Sequence, residues 1–222
     1  MPHICLSLDR IDINNIYGYI SMTKGEIIIC SDNKGKIAEI KECLGFLKGV
    51  DILSKKEAGI EKDIEETGKT FRENALLKAK TIFEIIRKPV ITDDSGICVD
   101  ALHGEPGIYS ARYAGKNKTD ADRCLFLLGK MKNINDLSKR TCHFTACICF
   151  IDRNGNEHFF EKYLEGRVAF APYGQGGHGY DPIFLLPNGK HLAEFSIEEK
   201  NKISHRGQAI RELVEYIKVH GL

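Results

Sequence analysis

The run Glu26 to Cys30 (EIIIC) is apolar and β-branched, and it breaks at the turn-prone Ser31-Asp32-Asn33. A stretch of helical period follows at once, with Ile37, Ile40, Leu44 and Leu47 at three-to-four spacing on one face. The same alternation then repeats. Val50 to Leu53 reads as a second short strand, and residues 55–69 as a polar, acidic loop. Thr70-Phe71-Arg72-Glu73 has the form of a capping box. The helix it opens turns Phe71, Ala75, Ala79, Ile82, Phe83 and Ile86 inward, and Pro89 stops it before the strand Val90-Ile91-Thr92. Strands alternating with amphipathic helices restrict the chain to an α/β fold.

The second half adds antiparallel pairing. Thr141 to Ile151 and Glu157 to Gly166 flank Asn154-Gly155, a strong hairpin signal. A helix is predicted from Thr119 to about Lys132, a short strand over 183–186, and a C-terminal helix from Ser204 with Ile210, Leu213, Val214 and Ile217 inward. Gly- and Pro-rich loops fill 103–118 and 174–179. No repeat or low-complexity linker divides the chain, so residues 25–222 are expected to form one domain with a mixed sheet. Residues 1–24 read as a poorly structured N-terminal extension, with Met22 as an alternative start.

Lys plus Arg number 32 against 31 Asp plus Glu, a formal net charge of +1. A protein that neutralises a nucleic-acid backbone carries a clear basic excess, so no nucleic-acid partner is expected. An anionic ligand must then be met by a local cluster of cations. The eight cysteines contain no C-x-x-C and sit mostly in apolar runs, which points to free buried thiols in a reducing compartment. No signal peptide and no run near the ~20 apolar residues of a membrane span is present, so the expected location is cytoplasmic with no membrane partner.

Three segments carry chemistry. Ser31-Asp32-Asn33-Lys34-Gly35-Lys36 spans a strand-to-helix junction, where unpaired N–H groups and the helix dipole favour an anion and two lysines add charge; a plain N-cap with solvated lysines fits equally well. Asp93-Asp94-Ser95-Gly96 ends an apolar strand in two adjacent carboxylates, which repel unless a cation stands beside them. Neighbouring strand residues face opposite ways, so only one is expected in a cleft. Asn74 and Lys78 share a helical face near this strand that is not the apolar one. Gly174 to Gly179 matches G-x-G-x-x-G, but Pro182 forbids the helix a dinucleotide site requires. His178 and Tyr180 are left as rings able to stack on a base, and Ser204-His205-Arg206 as a ligand contact.

Together with EETGKTFRENALLKA (65–79), DDSGICVDALHGEPGIYSARYAG (93–115), GQGGHGYDPIF (174–184) and EEKNKISHRGQA (198–209), these blocks resemble the Ham1-like inosine triphosphate pyrophosphatase family. The resemblance implies an elongated mixed β-sheet with flanking helices, two lobes around a central cleft, and a homodimer. It also implies Mg2+-dependent hydrolysis of dITP, ITP and XTP to monophosphate and pyrophosphate. Carried over by position, Ser31, Asp32, Asn33, Lys34, Gly35, Lys36 and Lys78 would hold the phosphates. Glu66 and Asp94 would hold Mg2+, Asp94 would help activate water, and Ser95 would contact substrate beside them. His178, Gly179, Tyr180, Asp181, Lys200, His205 and Arg206 would frame the purine. His178 departs from the family's usual Phe. Two other readings stand beside this one: a pyrophosphatase of the same fold for other modified nucleotides, and a nucleotide-binding regulator without turnover.

Overall fold

The computed structural model describes residues 25–45 and 47–222, so the expected extension over residues 1–24 lies outside the described residues. Six strands form one mixed sheet in the order β2-β1-β3-β4-β5-β6. β1 (Gly25–Cys30) pairs in parallel with both β2 (Val50–Ser54) and β3 (Val90–Val99). β4 (Thr141–Ile151) and β5 (Glu157–Val168) continue antiparallel, and the two-residue β6 (Phe184–Leu185) closes the edge. Among the described residues five α-helices flank the sheet: α1 (Lys34–Leu44), α2 (Phe71–Ile86), α3 (Asp120–Lys130), α4 (Ile197–Ile203) and α5 (His205–His220).

The side-chain period of two along β3 and β4 sorts the core. Ile91, Ile148 and Phe150 face α1 and α5, where Ile40, Leu44, Ile210 and Leu213 meet them. Val90, Cys147, Cys149 and Ile151 face the opposite way, toward Ala75, Ala79 and Ile82 of α2. Farther along the same strands, Ile97, Val99, Cys142 and Phe144 join Leu127 of α3 and Ile183, Phe184 and Leu192 in a separate core. Long strands thus run through two lobes, and the cleft lies where one core gives way to the other. The described cysteines are free thiols, as expected, and burial drives them up, Cys30 to about 11 and Cys149 to about 12.

Several expectations need correction. β3 does not stop at Thr92; it runs on through Asp93-Asp94-Ser95-Gly96 to Val99, each residue paired with β4. The capping box at Thr70 is half made: Thr70 accepts from the Glu73 N–H, but the Glu73 carboxylate accepts from the N–H of Lys69. Complete boxes occur at Thr119–Asp122 and at Ser196–Glu199, the latter opening α4, a helix not anticipated from the sequence. The glycine-rich and proline-rich 103–118 segment contains a 3-10 turn, Gly107–Arg112, and another, Asp100–Leu102, immediately precedes it. No helix among the described residues is long and apolar enough to cross a membrane.

One buried cation closes the β4–β5 end without any carboxylate. Arg140 is 2% exposed, and its guanidinium donates to the carbonyls of Val168, Met131, Ile134 and Ala169 at 2.8–3.0 Å. A planar five-donor fork satisfies four carbonyls that a lysine ammonium could not reach together. Arg140→Lys is therefore expected to lower stability by about 2–4 kcal/mol. Urea unfolding followed by circular dichroism checks this, and an unchanged midpoint would show that the carbonyls find water instead.

Candidate active site

The central part of β3 carries carboxylates on both faces. Asp93 points to the α1/α5 side, where Lys36 Nζ lies 2.7 Å from its Oδ2, Arg206 Nη2 3.2 Å, and Ser95 Oγ donates at 3.0 Å. Asp94 points to the α2 side, where Lys78 Nζ donates to its Oδ1 at 3.0 Å, to Glu66 Oε1 at 2.8 Å and to the Asp93 carbonyl at 3.0 Å. Arg112 Nη1 meets the other Glu66 oxygen at 3.1 Å. The expectation that adjacent carboxylates divide between faces holds, with cations beside each.

The two carboxyls are tuned in opposite directions. Burial pushes Asp93 up, but Arg206 and Lys36 outweigh it and hold the group well below the usual carboxylate range. Burial also pushes Asp94 up, and here it prevails over Lys78 and Lys36, helped by the negative charge of Glu66. Glu66 is itself held low, burial being outweighed by Lys78. Asp94 Oδ2 and Asp93 Oδ1 are buried without a hydrogen-bond partner.

On the Asp93 face the cations and carboxylates close into a network. Glu39 of α1 accepts from Lys200 of α4 at 2.7 Å and from Arg206 of α5. Lys200 also meets Asp181, whose Oδ2 accepts the His178 N–H at 2.8 Å. Arg206 donates to Ser95 Oγ at 2.7 Å. Glu39, Lys200, Asp181 and Arg206 are each 2% exposed. Burial raises Glu39, yet Arg206, His178 and Lys200 bring its carboxyl far below the ordinary value of 4.5.

This network forms one wall of a cavity that opens to solvent. Asn33, Lys36, Ser95, His178, Gly179, Tyr180, Asp181, Lys200, His205 and Arg206 all line it. Lys78, Glu66 and Asp94 stand behind β3, outside that lining. The α1 junction is more closed than expected: Asn33 Oδ1 accepts from the N–H groups of Gly35 and Lys36, so those donors are already capped. Asp32 is 73% exposed and pairs with Lys55, Lys34 is exposed away from the cavity, and Ser31 Oγ accepts from the Asn33 N–H. Gly35 is a contact requirement, since a Cβ there would come within 2.3 Å of His178 Cδ2.

The two expected stacking rings are placed differently. His178 Nε2 lies 3.2 Å from Glu39 Oε1 but at an angle that makes no hydrogen bond. Tyr180 is buried, and its hydroxyl donates to the Ser110 carbonyl at 2.8 Å. His205 stacks on Phe144 at 4.7 Å; burial, aided by Arg206, keeps its imidazole neutral, and Nδ1 has no partner. Sequence reasoning missed Glu39, whose signal was a carboxylate beside Ile40 on the inward helix face. It also missed Asp120, which lines the cavity, accepts the Gly179 N–H at 2.7 Å and pairs with Arg123.

A family model, the Ham1 family, matches residues 27–216. The chain belongs to the Ham1 family. Among its relatives is a protein of Thermoanaerobacter sp. (strain X514) named dITP/XTP pyrophosphatase, 45% identical over 195 residues, covering 86% of this chain and 96% of that one. A Bacillus subtilis (strain 168) protein of the same name is 42% identical, covering 85% and 94%. Of solved structures, a HAM1 protein from Coxiella burnetii superposes with a TM-score of 0.78 at 39% identity, covering 88% of this chain and 99% of that one. The Staphylococcus aureus Ham1 protein gives 0.76 at 41% identity, covering 87% and 98%. The mixed six-stranded sheet with flanking helices is thus the Ham1 fold.

The Glu39 network has a measurable weight. Removing one partner from a buried ion cluster strands the rest, so Glu39→Gln is expected to lower stability by about 3–5 kcal/mol at pH 7. Because the folded-state carboxyl lies below its ordinary value of 4.5, its stabilisation is complete above that pH and is lost as pH falls toward the folded value. Urea unfolding of wild type and variant should show a gap that narrows below that pH. A gap independent of pH would mean the carboxyl is not ionised in the fold.

Proposed function

We propose that this protein hydrolyses non-canonical purine nucleoside triphosphates, dITP, ITP and XTP, to the monophosphate and pyrophosphate. The observation that carries the reading is the buried, unpartnered Oδ2 of Asp94 beside Glu66 and Lys78. A buried carboxylate oxygen without a donor suits a cation or the proton of a reacting water. The names of the Ham1-family relatives support the substrate class.

The donor set fits Mg2+. No group of three or more His, Cys, Asp or Glu among the described residues could hold a metal by themselves, but Mg2+ needs only one or two carboxylates when substrate phosphates and water complete its shell. Glu66 and Asp94 would hold it. When bound it supplies positive charge to the phosphates and acidifies water.

The chain's own residues do the rest. Lys36 and Lys78 flank β3 from its two faces and offset about half of the roughly four negative charges of a triphosphate. Asp94 Oδ2 takes the proton of the water that adds to the α-phosphorus, and the bond to the bridging oxygen breaks as pyrophosphate leaves. A carboxyl raised by burial is a better base than one held low, so Asp94 and not Asp93 has this part. Asp93 orients Lys36 and Arg206. In the cavity, Gly179, Tyr180 and Asp181 with Lys200 and Arg206 form the purine wall, and His205 Nδ1 is a buried polar atom still lacking a partner there. A 6-oxo group can satisfy donors that the 6-amino group of adenine would leave unpaired.

A cytoplasmic location and a homodimer belong to the same proposal. Exposed Tyr109, Leu125 and Phe126 offer apolar surface for a second copy. The test of function is pyrophosphate release from ITP, dITP, XTP, ATP and GTP, with and without Mg2+. We expect preference for the first three by about 100-fold or more, dependence on Mg2+, and a loss of at least about 1000-fold in Asp94→Asn. Equal turnover of ATP and ITP would sink the specificity, and no turnover of any triphosphate would sink the enzyme.

A further inference from the structure

Asn74 stands one turn before Lys78 on α2, and the reaction described above gives it no part. Its side chain is fully buried, and its Oδ1 accepts from the N–H of Gly68 at 2.8 Å, two residues beyond Glu66. The approach is tight: a Cβ at position 68 would lie 2.6 Å from that oxygen. Because the Gly68 N–H can only donate, the amide atom facing it is the oxygen and the other is Nδ2. That Nδ2 is buried and has no partner. Buried amide donors are almost always satisfied, so an oxygen from outside the chain belongs there.

We infer that Asn74 is a positioning residue for the metal and triphosphate: Oδ1 pins the loop that brings Glu66 opposite Asp94, and Nδ2 donates to an oxygen of the bound assembly. The inference rests on the reading of Glu66 and Asp94 as the metal's holders. The loop has one neighbouring tie from the same helix, Glu73 to the Lys69 N–H at 2.7 Å, but that bond lies a residue farther from Glu66. Lys78 attracts the Glu66 carboxylate without fixing its backbone. Among the described residues, the Asn74 bond is the side-chain tie to the loop backbone that lies nearest Glu66.

The test uses the full chain and Mn2+ as a paramagnetic stand-in for Mg2+, titrated without nucleotide and read by electron paramagnetic resonance. Asn74→Ala should bind Mn2+ about 10–100-fold more weakly, the range for lost outer-sphere support, and, lacking the donor as well, should keep a lowered kcat even at saturating metal. Asn74→Asp keeps an acceptor for Gly68, so it should bind Mn2+ at least as tightly as wild type. It should still turn over more slowly, because it donates nothing. Thermal melts without metal confirm that both variants are folded. Wild-type Mn2+ affinity in Asn74→Ala, or equal weakening in both variants, would overturn the inference. If Glu66→Gln binds Mn2+ as wild type does, the metal assignment itself fails, and the inference with it.

Discussion

Five charged side chains from distant parts of the chain meet, buried, at the base of the cleft. Glu39, Asp93, Asp181, Lys200 and Arg206 are almost wholly buried, and each has at least one partner of opposite sign. A buried charge is tolerable only when it is paired and hydrogen-bonded. The geometry of the pairing therefore dictates how α1, β3, α4, α5 and the 178–181 loop sit relative to one another. Every element that borders the cavity on this side contributes one member.

The alternation of side chains along β3 turns that rigid cluster into a platform. Asp93 and Ser95 share the clustered face, and Asp94 between them is delivered to the other face, where Lys78 and Glu66 gather. One strand thus separates a carboxylate immobilised by two cations from one held by a single lysine shared with Glu66. The neighbouring groups, and not the residue type, set the two apart.

Most of the architecture was legible from local pattern. The period of Ile37, Ile40 and Leu44, the alternation through Thr141 to Ile151, and the Asn154-Gly155 turn each encode their element within a few residues. The failures have a common physical origin in long-range pairing. Asp-Asp-Ser-Gly carries a turn preference, but pairing with β4 and cations from α1, α2 and α5 keep it extended. Glu39 was unreadable as a site residue because its partners lie 161 and 167 positions away. The α4 helix escaped because seven residues, four of them charged, show no apolar period. Conversely, Asn33, Lys36, Ser95, Lys200, His205, Arg206 and the 178–181 loop do converge on one cleft, while Glu66, Lys78 and Asp94 gather behind β3 and Ser31, Asp32, Lys34 and Gly35 stand outside the lining.

The strands that pass through both lobes have a mechanical consequence. β3 and β4 are paired residue by residue from Val90 opposite Ile151 to Val99 opposite Cys142, across the boundary between the two cores. Swinging one lobe against the other would bend that ladder along its whole length. The cleft behaves less like a jaw than like a fixed gauge, whose width is machined into the sheet, and only the loops around 65–69, 103–118 and 174–179 are left to adjust.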